Sequence, residues 1–107
     1  MEYINKVDLQ GRVGAVRLNN IQGRNVASFS VVTEFVWQGE NGQFFNECTW
    51  HQVSAWDGEK VCDLTLLTKG CIVKLIGRLR HTRYTSADGT EKTFTEVLAS
   101  ELSIINE

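Results

Sequence analysis

Along most of this chain apolar and polar residues take turns with a period of two. Val7, Leu9, Gly11 and Val13 fall on one parity and Lys6, Asp8, Gln10 and Arg12 on the other, which predicts a first strand with one face toward a core. Ala27, Phe29 and Val31 alternate with Ser28 and Ser30 in a second strand. Asn41-Gly42 offers the positive φ angles of a tight hairpin, so a third strand is predicted from about Phe44. A short helix is predicted from Asp57 through Leu67: Asp57 would cap it, Val61, Leu64 and Leu67 recur at every third residue, and Gly70 lies just past the end. Ile72 to Tyr84 resumes the strand pattern. Asp88-Gly89 marks a second hairpin, and Phe94 to Ile105, rich in β-branched residues, reads as the last strand.

An all-β chain of five strands, with one short helix between the third and fourth, has the order of a five-stranded OB-fold barrel. Alternation alone fits other small barrels and sandwiches; the position of the helix selects this one. Gly11-Arg12-Val13-Gly14 lacks the third glycine of a dinucleotide fingerprint and the Gly-Lys-Ser/Thr of a phosphate loop, so it is read as a bend at a barrel corner. The 107 residues contain no proline, repeat or linker, and a single domain over 1-107 is expected. With 42% hydrophobic and 22% charged residues, the chain has enough apolar material to fold.

A net charge of −2 argues mildly against a polyanionic partner, but the charge is segregated. No acid occurs between Asp63 and Asp88, where Lys69, Lys74, Arg78, Arg80 and Arg83 are found. Cys48, Cys62 and Cys71 form no CxxC pair and leave one thiol over in any pairing, so reduced, mostly buried thiols are expected rather than a disulfide framework. His51 and His81 are poorly matched with carboxylates, and neither metal nor other cofactor is assigned. The start Met1-Glu2-Tyr3-Ile4-Asn5-Lys6 has no export signal, and no run approaches the ~18 apolar residues of a membrane span. A cytoplasmic protein without a membrane partner is expected.

On the third strand Trp50, Gln52, Ser54 and Trp56 share a parity, opposite Thr49, His51, Val53 and Ala55. Burying two indoles beside an amide would demand partners for every polar atom, whereas an open face lets the rings receive bases. On the fourth strand Val73, Leu75 and Leu79 point one way, and Lys74, Ile76, Arg78, Arg80, Thr82 and Tyr84 the other. That combination suits stacking on an aromatic, worth ~1–3 kcal/mol per base, alongside phosphate neutralisation. The competing readings are tryptophans packed under a loop and an ordinary solvated strand face. Cys48 and His51 have opposite parity, which disfavours a thiolate–imidazole nucleophile; no catalytic residue is assigned, and an enzyme is not expected.

Taken in order, several segments resemble the bacterial single-stranded DNA-binding protein family. They are Asn5-Lys6-Val7, Gly11-Arg12-Val13-Gly14, Ala27-Ser28-Phe29-Ser30-Val31-Val32-Thr33, Thr49-Trp50-His51-Gln52-Val53, Lys69-Gly70, Gly77-Arg78-Leu79-Arg80 and Thr95-Glu96-Val97. The resemblance implies sequence-independent binding and protection of single-stranded DNA in replication, recombination or repair. It implies base stacking at Trp50, Trp56 and Tyr84. It extends to Trp37, although Phe35-Val36-Trp37 carries one extra residue relative to the family's tryptophan before the hairpin. Lys69, Arg80 and Arg83 match basic positions, and His51 matches a histidine associated with subunit contacts in a homotetramer around which the strand wraps. Family members usually continue into a Gly/Pro/Gln-rich tail with an acidic tip that recruits replication proteins. This chain stops at Asn106-Glu107, so such recruitment is not expected, whether the chain is truncated, a short mobile-element variant or a relative such as primosomal replication protein N. The alternative function is an OB-fold primosomal or replisome interaction subunit with the aromatic face as a subunit interface. Stacking and phosphate contacts leave DNA and RNA undistinguished.

Overall fold

The computed structural model describes residues 2–105; Met1, Asn106 and Glu107 lie outside the described residues, and the expectation about a C-terminal tail falls there. The alternating segments form β1 (Val7–Ile21), β2 (Arg24–Gln38), β3 (Phe44–Trp56), β4 (Ile72–Thr85) and β5 (Glu91–Ile105). They close in the order β1-β2-β3-β5-β4, with β4 pairing back onto β1. The closing seam is parallel and short, joining Val53, Ser54 and Ala55 of β3 to Val97, Leu98 and Ala99 of β5. Inward residues of one parity, among them Phe29, Val31, Val53, Val73 and Leu75, fill the barrel.

Two shifts of parity shape the barrel. β1 pairs with β4 over Val7–Arg12 and with β2 from Arg12 onward, so it bends where the glycines predict a corner. A Cβ at Gly11 would stand 2.2 Å from the Val32 carbonyl oxygen, so only glycine permits this approach. A bulge between Val13 and Val16 then moves the inward positions by one residue. On β5, Ser100 is the extra residue: Ala99 pairs with Gly77 but Glu101 with Ile76. Val97 and Ala99 face inward before it, and Leu102 and Ile104 after it.

The helix expected over Asp57–Leu67 is reduced to one 3-10 turn, Leu64–Leu66. The preceding backbone is committed elsewhere: Cys62 N–H donates to the Leu102 carbonyl at 2.9 Å, and Leu102 N–H to the Lys60 carbonyl at 3.0 Å. Asp57 accepts instead from the Asn25 N–H at 2.9 Å. The cap is Asp63, which accepts from the Thr65 N–H at 3.0 Å and the Thr65 hydroxyl at 2.7 Å. These donors, the hydroxyl first, hold its carboxyl below the usual range. Leu64 and Leu67 are buried and plug one end of the barrel, which accounts for their spacing.

Both expected hairpins form, and β1 and β2 make a third through Gln22-Gly23. The turn near Asn41-Gly42 runs through Gly39–Gln43 and has positive φ at Gly42 alone, 79°, rather than at both expected residues. Its hydrogen bonds, Gly39 N–H to Gln43 O and Gly42 N–H to Gly39 O, recur in the β4–β5 turn as Ser86 to Thr90 and Gly89 to Ser86. Each is a turn closed by a left-handed glycine. β5 begins at Glu91, earlier than expected, because this hairpin stays paired out to Thr85 and Glu91.

Candidate nucleic-acid interface

Val53 and Ala55 are fully buried, so Trp50, Gln52, Ser54 and Trp56 face outward from β3. Trp50 is 61% exposed, and its indole lies over Gly14, where a Cβ would come within 2.8 Å of the ring. Trp56, half-buried, carries the Arg24 guanidinium 5.1 Å from its ring centroid. Arg24 also donates to the Asp57 carbonyl at 3.1 Å. The indoles are six positions apart on β3, or ~20 Å at ~3.3 Å per residue. Alongside the strand between them runs a groove of about 380 Å³ lined by Arg17, Ser28, Ser30 and Gln52. Gln52 donates to the Ser28 hydroxyl at 3.0 Å, so part of this floor is hydrogen-bonded within itself.

The other flank of β3 meets β5 and β4 through a charged cluster. Glu96, only 6% exposed, accepts the Ser54 hydroxyl at 2.8 Å on one oxygen and the Arg80 fork on the other, with Nε at 3.0 Å and Nη2 closer. The acids absent from β4 therefore stand on the neighbouring strand. Arg83 likewise lies 3.4 Å from Glu91, both well exposed and hence weakly coupled, on the face opposite Arg80. Lys69, Lys74 and Arg78 are exposed and form no ion pair among the described residues. Tyr84 meets Phe94 edge-on at 5.8 Å on the outward face of the hairpin.

Trp37 is placed apart from Trp50. Trp37 pairs with Phe45 and Trp50 with Val32, which sets the two indoles on opposite faces of the β2–β3 ribbon. Trp37 stacks with Phe35 at 5.8 Å and Phe45 at 5.5 Å, forming an aromatic ladder that the sequence pattern alone does not single out. The density of aromatics on both sides of the turn is its available signal. Gly39 lies beneath it, since a Cβ there would come 2.6 Å from the Phe45 ring.

His51 is half-buried, with Nε2 2.9 Å from the Thr33 hydroxyl, and faces away from Trp50. Cys48 is exposed, contrary to the expectation of mostly buried thiols, while Cys62 and Cys71 are half-buried against the core. Burial pushes the Cys62 thiol up, with Cys71 and Asp63 adding to the effect. Among the described residues no three metal-ligating side chains converge, and no helix is long and apolar enough to cross a membrane.

A closed five-stranded barrel, a 3-10 turn between β3 and β4, and aromatic side chains on the outward face of β3 define an OB-fold protein. The model of the single-strand binding protein family matches residues 4–105, and the chain belongs to that family. It is 34% identical over 107 residues to the single-stranded DNA-binding protein of Neisseria meningitidis serogroup A, covering 95% of this chain and 60% of that protein. It thus spans about 60% of the length of that relative. Identity to the mitochondrial single-stranded DNA-binding protein of Drosophila melanogaster is 31% over 101 residues, covering 92% of this chain and 69% of that protein. The Plasmodium falciparum protein of the same kind, solved in complex with single-stranded DNA, superposes with a TM-score of 0.84 at 27% identity. It covers 99% of this chain and 98% of its own.

Proposed function

We propose that this chain is a non-catalytic protein that binds and protects single-stranded DNA, with little regard to sequence, where replication, recombination or repair exposes it. The observation that carries this reading is the outward pair Trp50 and Trp56 on one face of β3, beside a groove lined by Arg17, Ser28, Ser30 and Gln52, on the strand where an OB-fold receives nucleic acid. Bases stack on the two indoles, and Tyr84 and the ladder around Trp37 extend the surface along the two hairpins. Lys69, Lys74, Arg78 and Arg83 add positive charge around it. Cys48 and His51 lie on opposite faces of β3, which supports a binding role over nucleophilic chemistry. The chain assembles as a homotetramer, with His51 near a subunit contact. In support, one edge of β1 over Val7–Gln10 pairs with β4, and the other pairs with no strand among the described residues. Titrating tryptophan fluorescence with oligo(dT) tests the proposal: saturable quenching supports it, and an unchanged signal at micromolar protein refutes it.

A further inference from the structure

We propose that Arg17 and Arg24, from β1 and the start of β2, hold the phosphates of the bound strand, while Arg80 is a structural residue held by Glu96. This assignment rests on the reading of the β3 face as the single-stranded DNA surface.

The groove lies over β1 and β2 and reaches β3 at Gln52, between Trp50 and Trp56 in sequence, and Arg17, which pairs with Ser28 in register, is the one cation lining it. Ser28, Ser30 and Gln52, the polar residues beside Arg17, are uncharged, so nothing on this floor repels a phosphate. At the far end Arg24 covers the Trp56 ring and donates to a backbone carbonyl. Neither arginine forms an ion pair among the described residues. A base arriving on Trp56 displaces the guanidinium from the ring but keeps it within reach of the adjoining phosphate. Arg24 follows directly on a two-residue turn with positive φ at Gln22 and Gly23, 51° and 84°, so its backbone position is fixed, while its side chain is held by one carbonyl hydrogen bond and the Trp56 face and by no ion pair among the described residues.

Arg80 differs on each count. Its fork is already filled by a carboxylate that is almost fully buried and also holds Ser54. Withdrawing it would strand that carboxylate. The cluster lies beside the parallel seam, where β3 and β5 share only three residue pairs, and it ties β3, β5 and β4 together.

The test is the salt dependence of oligo(dT) affinity for the wild type, R17Q/R24Q and R80Q. Each phosphate neutralised on a single strand contributes about −0.7 to the log–log slope, so the double variant should flatten it by about 1.4 with its melting temperature retained. R80Q should keep the wild-type slope and melt at a lower temperature. The double variant is the decisive one because both its side chains are exposed, so poor folding of R80Q does not obscure its slope. Saturable wild-type binding with an unchanged slope in R17Q/R24Q overturns the assignment alone. No wild-type binding overturns it together with the reading on which it rests.

Discussion

The six-membered ring of Trp50 rests on the bare backbone of Gly14, so close that a Cβ on that glycine would lie 2.8 Å from the indole and 2.6 Å from the Ser30 hydroxyl. The glycine thus sets the height at which the ring lies above the barrel. Gly14→Ala should displace the exposed ring rather than break the strand. Affinity for oligo(dT) should fall by up to the ~1–3 kcal/mol of one stack, with little change in melting temperature. Unchanged affinity would show that Trp50 needs no such support.

The Arg80–Glu96 pair predicts an asymmetry. Arg80→Ala leaves a carboxylate at 6% exposure with the Ser54 hydroxyl as its remaining partner, and should cost toward the lower end of about 3–5 kcal/mol. Glu96→Ala releases an arginine side chain that is already 41% exposed, and should cost less. Urea unfolding of both variants measures the difference, and equal losses would contradict it.

In the β4–β5 turn the Ser86 hydroxyl, and then the Thr90 N–H, lower the Asp88 carboxyl from 3.8 to about 2. Because the folded value lies below the unfolded one, the carboxylate stabilises the turn fully above the unfolded value and ceases to do so as pH falls through about 2. A carboxyl titration by NMR should place Asp88 near 2, and Ser86→Ala should move it back toward 3.8. An ordinary wild-type midpoint would contradict the capping arrangement.

Light scattering at micromolar concentration should give four times the chain mass, with the open β1 edge joining copies in pairs and a second contact joining the pairs. A monomer would refute the assembly. Proline in place of Asp8, in the middle of that segment, should lower the mass if this edge makes the contact.

The strands are legible in the sequence because barrel closure buries every second residue, and Val53, Ala55, Val73 and Leu75 advertise this directly. The helix is not, because Leu64 and Leu67 repeat at a helical spacing, whereas the residues before them are bound to β5 through Leu102, about forty positions away. Trp37 shares the parity of Phe29 and Val31 along β2, and Trp50 has the parity opposite Val53 along β3, so strand alternation sets the two indoles on opposite faces, and the observed connection, which pairs Gln38 with Phe44, keeps both inward sets together. Arg80 looks free in the sequence because an acid on a neighbouring strand is invisible along one strand, and Arg24 over Trp56 is hidden by the same kind of distance.

The central claim is that the outward face of β3 receives single-stranded DNA, and fluorescence titration with oligo(dT) of the wild type beside a Trp50→Ala, Trp56→Ala double variant tests it most directly. The wild type should be quenched saturably. The double variant should remain folded, lose most of the quenching and bind more weakly by ~1–3 kcal/mol for each stack removed, leaving Trp37 to report whether the strand also reaches the ladder. Affinity equal to the wild type in the double variant would contradict the account and move the binding surface off β3.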